Sequence, residues 1–189
     1  MKIYKYLGIV ACVFFSTIAS AQTPDPVEEN WTQVTPIRGN FKFSFPNNIH
    51  GFIDTLNSLL YSKEIDTILN LQVYYIDNVT TNVAETDVVW QNILNQNSGD
   101  TLRSFAGVML LLSEGTLEGI QDLPQNGSKP RGVEVGIRSP NDGISSYMMV
   151  SRIYYYNRKF LIFTASSTPN DNVRLGLYKT SFFNSIIFN

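Results

Sequence analysis

Cysteine is absent beyond Cys12, histidine occurs once, as His50, and no apolar run is long enough to cross a bilayer. Each absence removes a class of chemistry. One cysteine near the start permits no disulfide within the chain. A single histidine with no cysteine in the body of the chain leaves neither a His–Cys metal set nor a Cys–His nucleophile pair. A Ser-His-Asp arrangement lacks its Gly-x-Ser-x-Gly elbow, and His50, in "FPNNIHGF", falls in a strand connection. The phosphate loop and the dinucleotide fingerprint are missing as well, so no cofactor and no metal are expected. Basic charge is scarce: 14 Lys and Arg face 16 Asp and Glu, for a formal net charge of −2. That balance gives no electrostatic footprint for nucleic acid or an anionic membrane.

What is present begins with "MKIYKYLGIVACVFFSTIASAQ", in which Lys2 and Lys5 precede an apolar run over 7–18 that ends at Ala19-Ser20-Ala21. This is the pattern of a secretory signal peptide over residues 1–21, and no span is expected to remain after cleavage. Ile9-Val10-Ala11-Cys12 loosely resembles a bacterial lipoprotein box. Cleavage there would strand "VFFSTIASA" where a polar tether is needed, so processing after Ala21 is expected. Loss of Lys2 and Lys5 then leaves 12 basic against 16 acidic residues and no cysteine. Residues 22–39, rich in proline and acid, read as a leader with Trp31 as its anchor. Residues 40–189, rich in large apolar side chains, read as a single domain with its own core.

Period-two alternation marks the domain's strands. In "NFKFSFP" the three phenylalanines share one face, and a second strand is expected over 54–61. Ile65, Leu69, Leu71, Val73 and Tyr75 share one parity of a third, with Ser62-Lys63-Glu64 as the connection. From 87 to 113 the apolar spacing becomes helical, interrupted at Gly99-Asp100, with Gly115 placed to end the helix. Strands return in "TLEGIQDL" and "RGVEVGIR", and the Pro140-Asn141-Asp142-Gly143 cluster is a turn. "SSYMMVSRIYYY" and "KFLIFTASS" then form a hairpin through Asn157-Arg158. Thr168-Pro169-Asn170-Asp171 starts a last helix, and "NSIIFN" ends the chain extended.

The order of "FKFSFP", "LQVYYID", "GVMLLLSEG", "GVEVGIR", "SRIYYYNRKFLIFTAS" and "YKTSFFNSIIF" resembles the α-β-α sandwich family that includes the photosystem extrinsic protein PsbP and the Ran-binding Mog proteins. The resemblance implies an α+β fold with a central antiparallel sheet of about six strands flanked by helices. It also implies a role in binding proteins, and it carries over no catalytic or metal-binding residue.

One polar constellation survives. Glu134 and Arg138 share a face of one strand, and Arg152, Tyr154 and Tyr156 share a face of the hairpin strand. They read either as a structural ion pair within a sheet or as an Arg-Tyr-lined cleft for an anionic or peptide ligand. The expectation is a secreted or periplasmic, noncatalytic module that binds another extracytoplasmic protein or peptide. The competing reading is a carboxylate-based hydrolase or a small anionic ligand-binding protein.

Overall fold

The computed structural model describes residues 30–47, 50–55, 58–66, 68–77, 100–139, 147–156, 159–168 and 171–189. The signal peptide, the first helical stripe over 87–99, the 140–143 turn and the Asn157-Arg158 link lie outside them.

Ten strands and two helices are described. Strands β3 (Gly51–Thr55), β4 (Ser58–Glu64), β5 (Leu69–Ile76), β6 (Thr116–Leu123), β7 (Gly132–Arg138), β8 (Met148–Tyr156) and β9 (Lys159–Ser167) form a seven-stranded antiparallel sheet. Its order is β3-β4-β5-β9-β8-β7-β6. Strands β1 (Trp31–Val34), β2 (Phe41–Pro46) and β10 (Ile187–Phe188) form a second, three-stranded sheet in the order β1-β2-β10. The helices are α1 (Thr101–Ser113) and α2 (Asn172–Asn184).

The expected single sheet of about six strands is therefore replaced by one of seven and one of three. The stretch 54–61 belongs to two strands rather than one, because Asp54 and Thr55 pair antiparallel with Leu59 and Ser58. The Ser58 amide donates to the Thr55 hydroxyl there at 3.2 Å. Sequence alternation fails at this point because Leu59, Leu60 and Tyr61 are all buried, on both faces. Ser62-Lys63-Glu64 lies inside β4, and the connection to β5 falls later, at 65–68. Asp66 makes that turn by accepting amide hydrogen bonds from Ile68 at 2.7 Å and Leu69 at 2.8 Å. Within the stretch read as leader, Trp31–Val34 is a strand whose partner is β2.

Helix α1 starts where Asp100 caps it, accepting from the Leu102 and Arg103 amides at 3.0 and 3.2 Å. It ends on Glu114 in the left-handed region (φ 50°), not on Gly115. Gly115 has a different duty. A Cβ there would lie 2.6 Å from Ile137 Cγ2 and 2.7 Å from the Arg138 carbonyl, so only glycine lets the chain enter β6 this close to β7.

Alternation in the hairpin feeds two cores. Ile153, Ile162 and Phe160 point to α1 with Val133, Val135, Ile137, Phe105 and Met109. Tyr154, Leu161 and Phe163 point the other way, to a core shared with Phe41, Phe43 and Phe45 of β2 and with Tyr178 and Phe182 of α2. One face of the large sheet is thus covered by α1, the other by α2 together with the small sheet. The second core is dense in rings, with Phe43 edge-on to Phe45, Tyr61, Phe163 and Phe182 at centroid distances of 5.0 to 6.4 Å.

Candidate functional site

The antiparallel register of β7 and β8 sets Glu134 directly opposite Arg152, and Gly132 opposite Tyr154. Opposed residues share a face, and this face looks toward α2. Arg152 Nε donates to Glu134 Oε2 at 2.7 Å. Lys179 of α2 brings its Nζ to 3.7 Å from Glu134 Oε1, so one carboxylate stands between two cations. The Glu134 and Arg152 side chains keep only 19% and 21% of their exposure, which makes this a half-desolvated pair rather than a solvated surface bridge.

Arg152 is also fixed from the helix side. Its guanidinium carbon lies 4.7 Å from the centre of the Phe183 ring. Its Nη1 donates, at 3.4 Å, to the Phe183 carbonyl, one of those that the last turn of α2 leaves without a helical partner. Nε and Nη1 are thereby committed to Glu134 and Phe183.

Tyr154 forms the floor beside this pair. A Cβ on Gly132 would sit 2.6 Å from Tyr154 Cδ1, so the ring lies across a position that must be glycine. The ring packs edge-on to Phe188 at 5.0 Å and to Phe163 at 6.1 Å. Its hydroxyl is buried beside the Arg152 guanidinium and makes no well-formed hydrogen bond among the described residues. Burial pushes the hydroxyl pKa up to about 12, while the neighbouring Arg152 guanidinium pulls against that shift.

Above the ring lies the ammonium of Lys129, 5.5 Å from its centre. Lys129 comes from the β6–β7 connection, where Asn126 and Lys129 exchange backbone hydrogen bonds at 3.1 and 3.0 Å. The adjacent Ser128 hydroxyl donates to the Phe188 carbonyl at 2.8 Å, tying that connection to β10. Burial lowers the Lys129 pKa, and the positive charge of Arg152 lowers it further.

Of the five residues picked from sequence, the structure brings together Glu134, Arg152 and Tyr154. Arg138 shares their face but belongs to a separate pair, its Nε 2.5 Å from Glu118 Oε1 on the neighbouring edge strand β6. Tyr156 stands in β8 opposite Lys159, and its side chain lies outside the described residues. Lys129, Lys179 and Phe183 were not anticipated. Lys179 and Phe183 are four residues apart in α2, a spacing that places both on one helical face and was the available signal. Lys129 in "NGSKP" gave none.

The other ionic clusters act as fasteners. Arg174 bridges Asp66 at 2.8 Å and Asp171 at 2.9 Å, tying the β4–β5 turn to the start of α2. Asp171 accordingly spends its carboxylate on Arg174 and makes no side-chain cap at α2. Arg131 joins Asp100 and Asp122, at 2.7 and 3.5 Å, and Arg103 joins Asp122 at 2.7 Å. These charges lock the α1 N-terminus onto β6. Among the described residues no three His, Cys, Asp or Glu side chains group as a metal set, and no helix is long and apolar enough to cross a membrane.

The cyanobacterial PsbP protein of Synechocystis sp. PCC 6803, CyanoP, superposes with a TM-score of 0.51 over 89% of this chain and 98% of its own, at 12% identity. The fold is PsbP-like. A Pseudomonas aeruginosa protein of unknown function, PA94, is similar at a TM-score of 0.40 and 11% identity, over 79% of this chain and 92% of its own. No protein-family model and no curated protein matches the sequence. The PsbP-like likeness is therefore one of backbone architecture, and the residues around Arg152 have to be read by their own chemistry.

Proposed function

We propose that this PsbP-like domain is a noncatalytic binding or assembly module that works outside the cytoplasm, as a secreted or periplasmic protein of the PsbP and Mog type. Its partner is another extracytoplasmic protein or a peptide that carries an anionic group. The observation behind this reading is the charge balance at the α2 face of the sheet: Arg152 and Lys179 engage the single carboxylate of Glu134, and Lys129 adds a third cation near Arg152, in a chain whose net charge is −2. A local excess of half-buried positive charge against aromatic walls suits recognition of an anion. Export is supported by the basic, apolar and small-residue order of positions 1–21.

The hydrolase alternative calls for a carboxyl held above its usual pKa to act as general acid. Asp66 and Asp100 depart in the opposite direction. Glu134 is engaged by two cations, Arg152 and Lys179, as a structural ion pair is. Both observations favour binding over hydrolysis.

The test is affinity purification of the exported protein beside its Arg152→Ala variant. One partner should copurify at fixed stoichiometry with the parent and be lost with the variant, with circular dichroism confirming that the variant folds. A hydrolytic activity that disappears in folded Glu134→Gln would replace this reading with the enzyme.

A further inference from the structure

We infer that Lys129, Arg152 and the Tyr154 hydroxyl form a receptor for one oxyanion, a carboxylate or a phosphate group. The inference rests on the binding reading above and names the chemical group that the partner inserts.

Three independent observations converge. The first is the surplus of donors at Arg152. Its Nε serves Glu134 and its Nη1 serves Phe183, which leaves Nη2 with no carboxylate or carbonyl acceptor among the described residues, on a guanidinium already held in position from both sides. A planar fork fixed in this way is pre-organised for an oxyanion, and less freedom is lost when one binds. The second is the Tyr154 hydroxyl, buried beside the Arg152 guanidinium with no well-formed hydrogen bond to it or to another described residue. A buried hydroxyl left unpaired is a standing cost that an incoming acceptor removes. The third is Lys129, which forms no ion pair among the described residues although it is half-buried near a second cation. Its ammonium rests over the Tyr154 ring, an arrangement held by the weak attraction of a ring face.

An oxyanion satisfies all three. It offers several acceptor lone pairs, accepts from Nη2, from the ammonium and from the hydroxyl, and cancels part of the like-charge repulsion between Lys129 and Arg152. A cation is repelled by the same groups, and a neutral acceptor leaves the repulsion in place. Glu134 is not a competitor for the position, because Arg152 and Lys179 already occupy both of its oxygens. Its role is to hold the guanidinium in place through Nε.

The experiment titrates the mature protein separately with inorganic phosphate and with succinate, at constant ionic strength set by chloride. The Lys129 ammonium and the Tyr154 ring are followed by NMR. Saturable shifts at both residues, with a rise in the Lys129 pKa, are expected. Lys129→Met and Arg152→Lys should each weaken binding about tenfold, the scale of one charge-assisted hydrogen bond. A response to phosphate alone assigns the receptor to phosphate, a response to succinate alone assigns it to carboxylates, and a response to both supports a general oxyanion site. No saturable shift with either anion overturns the inference, as does undiminished binding by folded Lys129→Met. Anion binding without any copurifying partner would keep the receptor and remove the protein-binding reading. A partner that copurifies equally with Lys129→Met, in a protein blind to both anions, would do the reverse.

Discussion

Glu134 on β7 and Arg152 on β8 face one another across the sheet with Nε and Oε2 2.7 Å apart, and the helix α2 closes over the pair with Lys179 and Phe183. The pair is therefore part of the contact between sheet and helix as well as the centre of the cationic patch. Glu134→Gln leaves Arg152 half-buried without its counter-charge. It should cost about 1–2 kcal/mol, between the value of an exposed pair and that of a buried one. A double-mutant cycle with Arg152→Met, read by urea unfolding, measures the coupling. A coupling indistinguishable from zero would mean that the pair contributes nothing to the fold.

The hairpin strands supply both cores, since Phe163 and Ile153 are fully buried on opposite faces of the large sheet. Phe163→Ala should cost about 3–5 kcal/mol and Ile153→Ala about 2–5 kcal/mol. Because the two cores lie on opposite sides of the sheet, the losses should add within about 0.5 kcal/mol in the double variant. Denaturant midpoints of the two single variants and the double test this. Strong non-additivity would show that the cores are not independent.

Gly132→Ala should perturb the site and Gly119→Ala should not. A Cβ at 132 lies 2.6 Å from Tyr154 Cδ1 and 2.7 Å from the Ile153 carbonyl, whereas one at 119 meets nothing within 4 Å. The cost at 132 should be about 1–3 kcal/mol, as for an overpacked core. The Tyr154 ring should lift, and its hydroxyl should titrate nearer 10 than the present value of about 12. Ultraviolet titration of tyrosinate reads the change. An unmoved titration in a folded Gly132→Ala protein would refute the ring-over-glycine account.

Acid should loosen the β4–β5 turn. Burial disfavours the charge of Asp66, but the amides of Ile68 and Leu69 and the guanidinium of Arg174 outweigh it, so its pKa lies below 3.8 in the folded chain. A depressed carboxylate pKa stabilises the fold fully above the unfolded value and ceases to do so as pH falls through the folded one. Stability should therefore fall below about pH 4 with a slope that Asp66→Asn reduces. Urea midpoints measured down that range for parent and variant decide it, and identical slopes would exclude Asp66 as a contributor.

Much of the architecture was written locally. Phe41, Phe43 and Phe45 alternate because a strand buries every second side chain, and all three are fully buried on one face. The same period put Arg152 and Tyr154 together on one face and Ile153 on the other before any partner strand was known. The interruption at Gly99-Asp100 was legible too, and the structure shows Asp100 capping α1 just after it. Where both faces of a strand are buried, as at Leu59, Leu60 and Tyr61, alternation vanishes, and the hairpin of β3 and β4 could not be told from a single strand.

The candidate site divides along the same line. Strand parity, a property of neighbouring residues, determined that Glu134 and Arg138 share a face of β7 and that Arg152 and Tyr154 share a face of β8. Register and docking depend on contacts far apart in sequence. The pairing of β7 with β8 chose Arg152 for Glu134, while the neighbouring strand β6 gave Arg138 to Glu118. Lys179 arrived because α2 buries Tyr178 and Phe182 in the core and so turns its neighbouring face to the sheet. Lys129 arrived because the β6–β7 connection is tied to β10 through Ser128 and Phe188. No local pattern encodes those arrivals, since each follows from apolar burial elsewhere in the chain, and burial is a property of the whole packed core.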